Sequence, residues 1–260
     1  MITQRDLHIF LSLRYGPVNI DDILTILRRD HEILIKKHPL QVRLSYLIKN
    51  GLIKSSDPET VRWHGAALYA LTHRGVGQCV DTFDWHDPAL IRTSLPDKHR
   101  YIHERNVSLV HRRIWTDAQA GCYSLRVHPE HAQKALPAKA RLGLYHSDLL
   151  ICVGFGETKK FFDIEIDNST IPTKRMMTKF RGLKFRGYIL CATQGRISAL
   201  QRAVNFALTA DRHKIGRKIH FALISDFLRH GLLNTTWSDC DSCSHNIETV
   251  PAVWDNGWPW

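Results

Sequence analysis

The hydrophobic pattern of the first fifty residues predicts three short helices separated by residues that stop helices. Thr3 and Asp6 have the spacing of a capping box, and the helix that follows them stops at Gly16-Pro17. Asn19 has the side chain to cap a second helix. A third helix ends at Asn50-Gly51 and carries a stripe of four apolar residues: Leu40, Leu44, Leu47 and Ile48.

Two apolar segments that follow predict a β-hairpin. LIKSS and VRWHGAALYAL have the composition of strands, and Asp57-Pro58 between them favours a turn. Three short helices and a hairpin form a winged helix, in which the third helix enters the major groove and the hairpin, here residues 57–62, is the wing. The side chains predicted to contact DNA are Gln41, Arg43, Ser45, Lys49 and Arg62. The alternative is a winged helix that binds another protein.

From residue 97 the pattern predicts a second domain, a mixed sheet flanked by helices. The segment before it, 84–96, contains two prolines and few periodic apolar positions, which is typical of a linker. The predicted order is αβββαβαβ, with elements near 97–116, 122–128, 148–155, 161–167, 172–184, 187–193, 196–209 and 218–225. The apolar runs LLICVGF, YILCAT and IHFALI are typical of buried strands. The expected fold class is α/β (α+β), with domains at 1–83 and 97–228 and a tail at 229–260.

One predicted strand carries an acidic face. In the run FDIEID apolar and acidic residues alternate, so Asp163, Glu165 and Asp167 share one side of the strand. A solvent-exposed sheet face would explain such a row. However, Asp148 begins the preceding strand, which a tight turn would pair antiparallel with this one, and Glu104 lies on the helix before. Carboxylates that converge from adjacent strands are typical ligands of Mg²⁺ or Mn²⁺, so a metal site is the second interpretation.

The charge distribution favours a polyanionic partner. The chain has 260 residues, is 43% hydrophobic and carries a net charge of +11. Residues 231–260 hold four acids and no Lys or Arg, which leaves 36 Lys and Arg against 21 acids, or +15, on residues 1–230. Cationic side chains that bind phosphates release counterions, so an excess of this size favours DNA. A basic surface without a partner would have the same charge.

The remaining composition is typical of a cytoplasmic protein. No apolar run approaches the roughly 18 residues of a membrane span, and MITQRDLHIFLSLRYG lacks the apolar stretch of a signal peptide. Six scattered Cys are typical of free thiols. Cys240-x-x-Cys243-x-His245 is half of a zinc site without a second pair nearby, so structural zinc is the less favoured interpretation. Four tail tryptophans either pack back onto the body or dock a partner: Trp237, Trp254, Trp258 and Trp260.

The order of the acidic motifs resembles that of a known group of proteins. Ser147-Asp148, then Glu165-x-Asp167, then Lys179 resembles the PD-(D/E)XK motif of restriction-endonuclease-like folds. A leading winged helix followed by HERN, SD and EIDNST with a later Lys is similar to the replication-relaxation proteins and the MobC-type plasmid relaxases. The resemblance covers about residues 1–228.

The resemblance implies a role for each matching residue. Asp148 and Glu165 would be the main metal ligands, and Asp167 would assist them or bind a second ion. The accessory acid would be Glu104, while His103 and Asn106 would support phosphate positioning or proton transfer. Two positions depart from the motif: Ser147 replaces the usual Pro, and Asp167 stands where the simple motif has Lys. The lysine role therefore moves to Lys179 or Lys174.

The function implied is that of a Mg²⁺- or Mn²⁺-dependent, site-specific DNA endonuclease. It would act in the bacterial cytoplasm as a relaxase, nicking double-stranded DNA at a plasmid transfer origin to begin conjugative mobilisation. We expect hydrolysis without a stable covalent link, because neither Tyr101 nor Tyr145 has the sequence signature of a nucleophile. The tail would bind a coupling protein or an accessory mobilisation protein. Two alternatives are a replication or transcription regulator with an inactive nuclease-like fold, and a nuclease of a defence or mobile-element system.

Overall fold

The chain folds into two compact units, Met1–Leu109 and Val110–Trp260. The computed structural model describes residues 2–83, 90–120, 124–135, 146–155, 158–183, 185–207, 219–240 and 244–245. The division between the units falls within one helix, beyond the 84–96 segment that the sequence predicts as a linker. Residues just before the division belong to the first unit, because Arg105 binds Asp22 through two hydrogen bonds of 2.6 Å.

The first unit combines helices with a three-stranded antiparallel sheet of order β1-β3-β2. The three helices predicted from the hydrophobic pattern are present. Its elements are α1 (Gln4–Leu13), β1 (Val18–Asn19), α2 (Ile20–His31), α3 (Lys37–Lys49), β2 (Ile53–Ser55), α4 (Pro58–His64), β3 (Leu68–Leu71), α5 (His73–Phe83) and the first half of α6 (Tyr101–Ala120).

The predicted helix starts carry the caps that their sequences suggest. The Thr3 backbone N–H donates to Asp6 Oδ2 at 2.6 Å. At the start of α2, Asn19 and Asp22 bond each other reciprocally, at 2.9 and 3.1 Å. The buried faces of these helices then meet in one apolar core that includes Phe10, as the periodicity requires.

The predicted hairpin turn at residues 57–62 is wrong, because Pro58–His64 form α4 and Asp57 is its N-cap. Asp57 caps the helix by accepting hydrogen bonds of 2.8 Å from the backbone N–H and the hydroxyl of Thr60, and Pro58 occupies the first helical position. An Asp-Pro pair suits a turn and a helix start equally well, which is why the sequence misleads here. The flanking strands β2 and β3 do pair antiparallel, with Ile53 opposite Leu71.

The second unit is built on a seven-stranded mixed sheet of order β10-β9-β8-β7-β6-β5-β4. Strands β6, β7 and β8 are parallel, and the other neighbours are antiparallel. After the second half of α6 come β4 (Ser124–Pro129), α7 (Glu130–Ala135), β5 (Leu149–Phe155), β6 (Thr158–Asp167), α8 (Thr173–Gly182), β7 (Arg186–Cys191), α9 (Gln194–Asn205), β8 (Ile219–Leu223), α10 (Ile224–Asn234), β9 (Trp237–Ser238) and β10 (Ser244–His245). Every predicted element of this domain is present, and α7, α10, β9 and β10 are additional.

The two faces of this sheet are covered by different helices. Glu165 pairs with Ile189, and Ile189 with Phe221, so these three share a face. The side chains of α8 and α9 pack against that face in one apolar cluster. On the opposite face, Tyr188 contacts Trp237, which in turn contacts Phe227 of α10.

The segment predicted as a tail at 229–260 begins inside the sheet unit. Part of it completes α10, and β9 and β10 extend the sheet. Trp237 is fully buried, so this tryptophan packs back onto the body rather than serving a partner. The other three tail tryptophans lie outside the described residues. None of the helices in the described ranges is long and apolar enough to cross a membrane.

Candidate active site

The acidic strand lies in the middle of the larger sheet, with β5 on one side and β7 on the other. Asp163, Glu165 and Asp167 are all buried, as are the apolar residues that alternate with them. The interpretation of this row as a solvent-exposed sheet face is therefore wrong. Burial of a carboxylate costs free energy unless the group has a hydrogen-bond or ion-pair partner. The partner of each acid therefore indicates its role.

Asp163 and Asp167 hold the local backbone in place. Asp163 accepts a hydrogen bond from the N–H of Phe185 at 3.1 Å. Asp167 accepts one from the N–H of Ser169 at 2.8 Å and one from Nε of Arg196 at 2.6 Å. The same guanidinium group donates to the carbonyl of Ile171, so Asp167 and Arg196 fasten the connection between β6 and α8. The predicted role of Asp167 as an assisting metal ligand stays a prediction.

Glu165 is the acid of β6 that forms an ion pair with a lysine. Its Oε2 lies 2.8 Å from Nζ of Lys179 on α8, and its side chain is 1% exposed. Burial by itself would lower the pKa of Lys179, but the negative charges of Glu165 and Asp148 more than offset that effect, so the pKa lies above its usual value. Lys179 is therefore a protonated cation at neutral pH. Lys174, the other candidate for the lysine role, is exposed on the same helix.

Asp148 stands beside Glu165, as predicted from the antiparallel pairing of their strands. Leu149 pairs with Ile164, which places the preceding residue opposite Glu165. Asp148 is 6% exposed, and its Oδ2 accepts a hydrogen bond of 2.7 Å from the N–H of Ile166. Helix α7 supports this position, because Gln133 Nε2 donates to the carbonyl of Ser147 at 2.9 Å.

The chemistry of this cluster suits a divalent cation that arrives with a phosphate. Among the described residues, no three His, Cys, Asp or Glu side chains are grouped to hold a metal by themselves. Mg²⁺ is commonly held by one or two carboxylates, with phosphate oxygens and water completing its six ligands. Asp148 and Glu165 supply the two carboxylates that such a site needs, and Lys179 provides a cation for a phosphate oxygen.

Glu104, the predicted accessory acid, belongs to the first unit and is engaged there by two arginines. Its buried carboxylate pairs with Arg92 and, at 2.7 Å, with Nη2 of Arg100. The neighbouring His103 is half-buried on the same helix. Neither arginine has a sequence signal that would identify it as a partner of Glu104. The catalytic roles expected of Glu104 and His103 stay predictions.

The residues predicted to contact DNA divide into two groups. Gln41, Ser45 and Lys49 are exposed along one side of α3, and Arg62 is exposed on α4 instead of a wing. Arg43 instead joins α3 to α1, since its Nε lies 2.5 Å from Oδ1 of the fully buried Asp6. Its guanidinium carbon also lies 4.3 Å from the centre of the Tyr46 ring. Arg43 therefore stabilises the helix pair, although the sequence places it on the DNA-facing side.

Three exposed apolar side chains of α3 and α4 were missed by the sequence reasoning. Val42 and Tyr46 are exposed on α3, and Trp63 is exposed on α4 next to Arg62. The hydrophobic pattern contains the signal, because Val42 and Tyr46 fall outside the buried stripe of α3. Exposed apolar residues beside polar ones are typical of a contact surface.

Tyr101 and Cys240 are both buried. Tyr101 stacks on His64 with ring centres 4.2 Å apart, which is the packing of a core residue rather than an accessible nucleophile. Cys240 packs in the apolar cluster under α8 and α9. Tyr145 and Cys243 lie outside the described residues.

Comparison with known proteins leaves the fold and the site as the basis for inferring function. No protein-family model matches the chain, and no curated protein or solved structure matches it significantly. The structure defines a mixed α/β protein in which the buried Glu165 of β6 binds Lys179 of α8 and lies beside the buried Asp148.

Proposed function

We propose that this protein is a Mg²⁺- or Mn²⁺-dependent DNA endonuclease that acts as a relaxase, nicking a plasmid transfer origin. The observation that carries the proposal is a cluster on one face of the sheet, formed by Glu165 of β6, Asp148 just before β5 and Lys179 of α8. Its residues occur in the order of the PD-(D/E)XK motif that the sequence resembles. The mixed sheet with flanking helices is compatible with a restriction-endonuclease-like domain, and the first unit is compatible with a winged helix whose wing is replaced by α4.

The proposed chemistry assigns a separate task to each residue of the cluster. Asp148 and Glu165 hold the divalent cation, which supplies charge stabilisation at the phosphate and a more acidic bound water. Lys179, a cation placed beside the two carboxylates, donates hydrogen bonds to a phosphate oxygen. Asp148 is held in position by the backbone of Ile166, which keeps its carboxylate beside that of Glu165.

The first unit supplies the contact with duplex DNA in this proposal. Gln41, Ser45 and Lys49 form an exposed polar row on α3, one turn apart, which is the arrangement of a helix that reads the major groove. Arg62 on α4 contributes a further cation. The segment after residue 245 remains the proposed contact for a coupling protein or an accessory mobilisation protein.

A plasmid nicking assay tests the proposal. Supercoiled plasmid that carries a transfer origin is incubated with Mn²⁺ and with the wild type, Asp148→Asn or Glu165→Gln. The wild type is expected to produce nicked circles, and both variants are expected to leave the plasmid supercoiled. Asp226→Asn, on α10 at the opposite face of the sheet, is the matched control and should nick as the wild type does.

Three other outcomes would redirect the proposal. A wild type that leaves the plasmid supercoiled would favour a regulator with an inactive nuclease-like fold. Random linear fragments would favour a nuclease of a defence or mobile-element system. A protein–DNA adduct that resists denaturation would contradict hydrolysis in favour of a covalent intermediate.

A further inference from the structure

The segment that follows the acidic strand is strongly and uniformly basic. Residues 168–210 contain eight Lys and Arg and no Asp or Glu. They include β7 and the helices α8 and α9. These two helices cover the same face of the sheet as Glu165. A charge distribution of one sign over two adjacent helices attracts polyanions.

Two of these cations bind carboxylates, and four are exposed among the described residues. Lys179 binds Glu165 and Arg196 binds Asp167. The exposed ones are Lys174, Arg175 and Arg181 on α8 and Arg202 on α9. Helix α8 therefore directs Lys179 toward the candidate site and exposes its other cations to solvent.

The opposite face of the sheet differs in charge. There α10 carries an acid as well as a base, Asp226 and Arg229. Helices α8 and α9 therefore carry an excess of positive charge that α10 does not.

An exposed aromatic residue lies at the end of the same basic face. Phe206 is 86% exposed and directly follows α9. Its backbone N–H donates to the carbonyl of Arg202 at 2.9 Å, so this residue continues the last turn of the helix. Cations that bind a backbone together with an aromatic ring that stacks on a base are the typical elements of a single-strand binding surface.

We propose that the α8–α9 face, defined by Lys174, Arg175, Arg202 and Phe206, binds a single strand of DNA. The three cations contact phosphates, and Phe206 stacks on an unpaired base. This inference rests on the proposed function, because it adds to the nicking site a surface for the strand separated there. It also separates two modes of DNA contact, with the duplex bound by α3 and α4 and the single strand bound by α8 and α9.

Binding of a fluorescein-labelled single-stranded oligonucleotide, measured by anisotropy in EDTA, tests this surface without cleavage. For Lys174→Ala/Arg175→Ala/Arg202→Ala, the slope of log K against log salt concentration should fall in magnitude by about 2, since each phosphate contact contributes roughly 0.7 for single strands. Phe206→Ala should weaken single-strand binding by about 5- to 100-fold and should weaken duplex binding less. Arg229→Ala on the opposite face is the charge control and should bind as the wild type does.

The outcomes separate this inference from the proposed function. Equal single-strand affinity and equal salt slope in the wild type and the triple variant would overturn it, even if the wild type nicks plasmid. Phe206→Ala that binds single strands as the wild type does would also overturn it, in favour of phosphate contacts to duplex DNA. If the variants bind as expected but the wild type does not nick with Mn²⁺, the single-strand surface stands and the endonuclease proposal fails.

Discussion

At the scale of single residues, Glu165 illustrates how the partner of a buried charge reveals its role. Three acids alternate along β6, and two of them stabilise the backbone or a neighbouring loop. Glu165 instead meets Lys179, a residue that lies fourteen positions later on a helix. Two carboxylates and a lysine that meet at one point of a fold are a sharper functional signal than the acidic row itself.

The lysine role can be tested by separating turnover from binding. Lys179→Ala should lower the nicking rate at saturating DNA by about 100-fold or more, because it removes a charged donor at the reacting phosphate. Lys174→Ala should weaken DNA binding and leave the rate at saturation close to that of the wild type. The rates are measured as nicked plasmid against time, with circular dichroism to verify that both variants fold. Equal losses of turnover in the two variants would contradict the assignment of Lys179.

Protonation of Asp6 should make the free energy of unfolding of the first unit depend on pH. Burial by itself would raise the pKa of Asp6, but hydrogen bonds from Arg43 and Thr3 more than offset it, so the pKa lies below its usual 3.8. A lowered pKa contributes stability that is present above pH 3.8 and is lost as the pH falls through the folded-state value.

Asp6→Asn should therefore lower the free energy of unfolding at pH 7 by about 3 kcal/mol, because it breaks a buried ion pair. The difference from the wild type should become smaller as the pH falls below about 4. Urea unfolding at pH 7 and pH 3 measures both effects. Asp21→Asn removes the exposed pair with Lys37 and should change the stability by less than about 1 kcal/mol. A difference that is constant with pH would contradict this account of Asp6.

At the scale of elements, the strands were predicted better than the connections between them. Alternation and apolar runs locate β5, β6, β7 and β8 within a few residues, because buried strands need continuous apolar sequence. The error at Asp57-Pro58 comes from a connection, where the same residue pair favours a turn or a helix start. Helix α10 was missed for a related reason, since a glycine interrupts its pattern.

The interruption of α10 at Gly231 gives a prediction about stability. Gly231 has a φ of 82°, and a Cβ placed there would lie 2.0 Å from Oδ2 of Asp117, which accepts a hydrogen bond from the N–H of Leu232. Gly231→Ala should therefore lower the free energy of unfolding of the second unit by about 2 kcal/mol or more.

Gly195 provides the matched control for this substitution. It lies in α9 with no atom within 4 Å of a Cβ position. Gly195→Ala should raise the stability by up to about 1 kcal/mol, since alanine favours a helix over glycine. Thermal unfolding of both variants measures the difference, and equal effects would contradict the role given to Gly231.

At the scale of the whole molecule, the end of the described chain returns to the sheet core. Trp237 on β9 is fully buried against Tyr188 and Phe227, which come from β7 and α10. The net acidic charge of residues 231–260 suggested a separate tail, but charge does not determine whether a segment adds a strand. Trp237, which lies close to the start of the predicted tail, therefore contributes to the stability of the second unit.

Substitution of Trp237 tests this contribution. Trp237→Ala should lower the free energy of unfolding by about 3–5 kcal/mol, because it leaves a cavity beside Tyr188 and Phe227. Trp63→Ala is the control, since Trp63 is exposed on α4, and it should cost less than about 1 kcal/mol. Urea unfolding followed by far-UV circular dichroism measures both. Similar losses in the two variants would show that Trp237 is not part of the core in solution.

The sequence by itself determined the local features of this protein: helices and strands, the caps at Thr3 and Asn19, the shared face of three acids and the net positive charge. These features depend on neighbours within a few residues, so periodicity and composition reveal them. Only the tertiary structure decided which partner each charge has. Asp167 pairs with Arg196, Glu165 with Lys179 and Arg43 with Asp6. These contacts join residues 14 to 37 positions apart, so they follow from strand order and helix packing, which the local pattern does not contain.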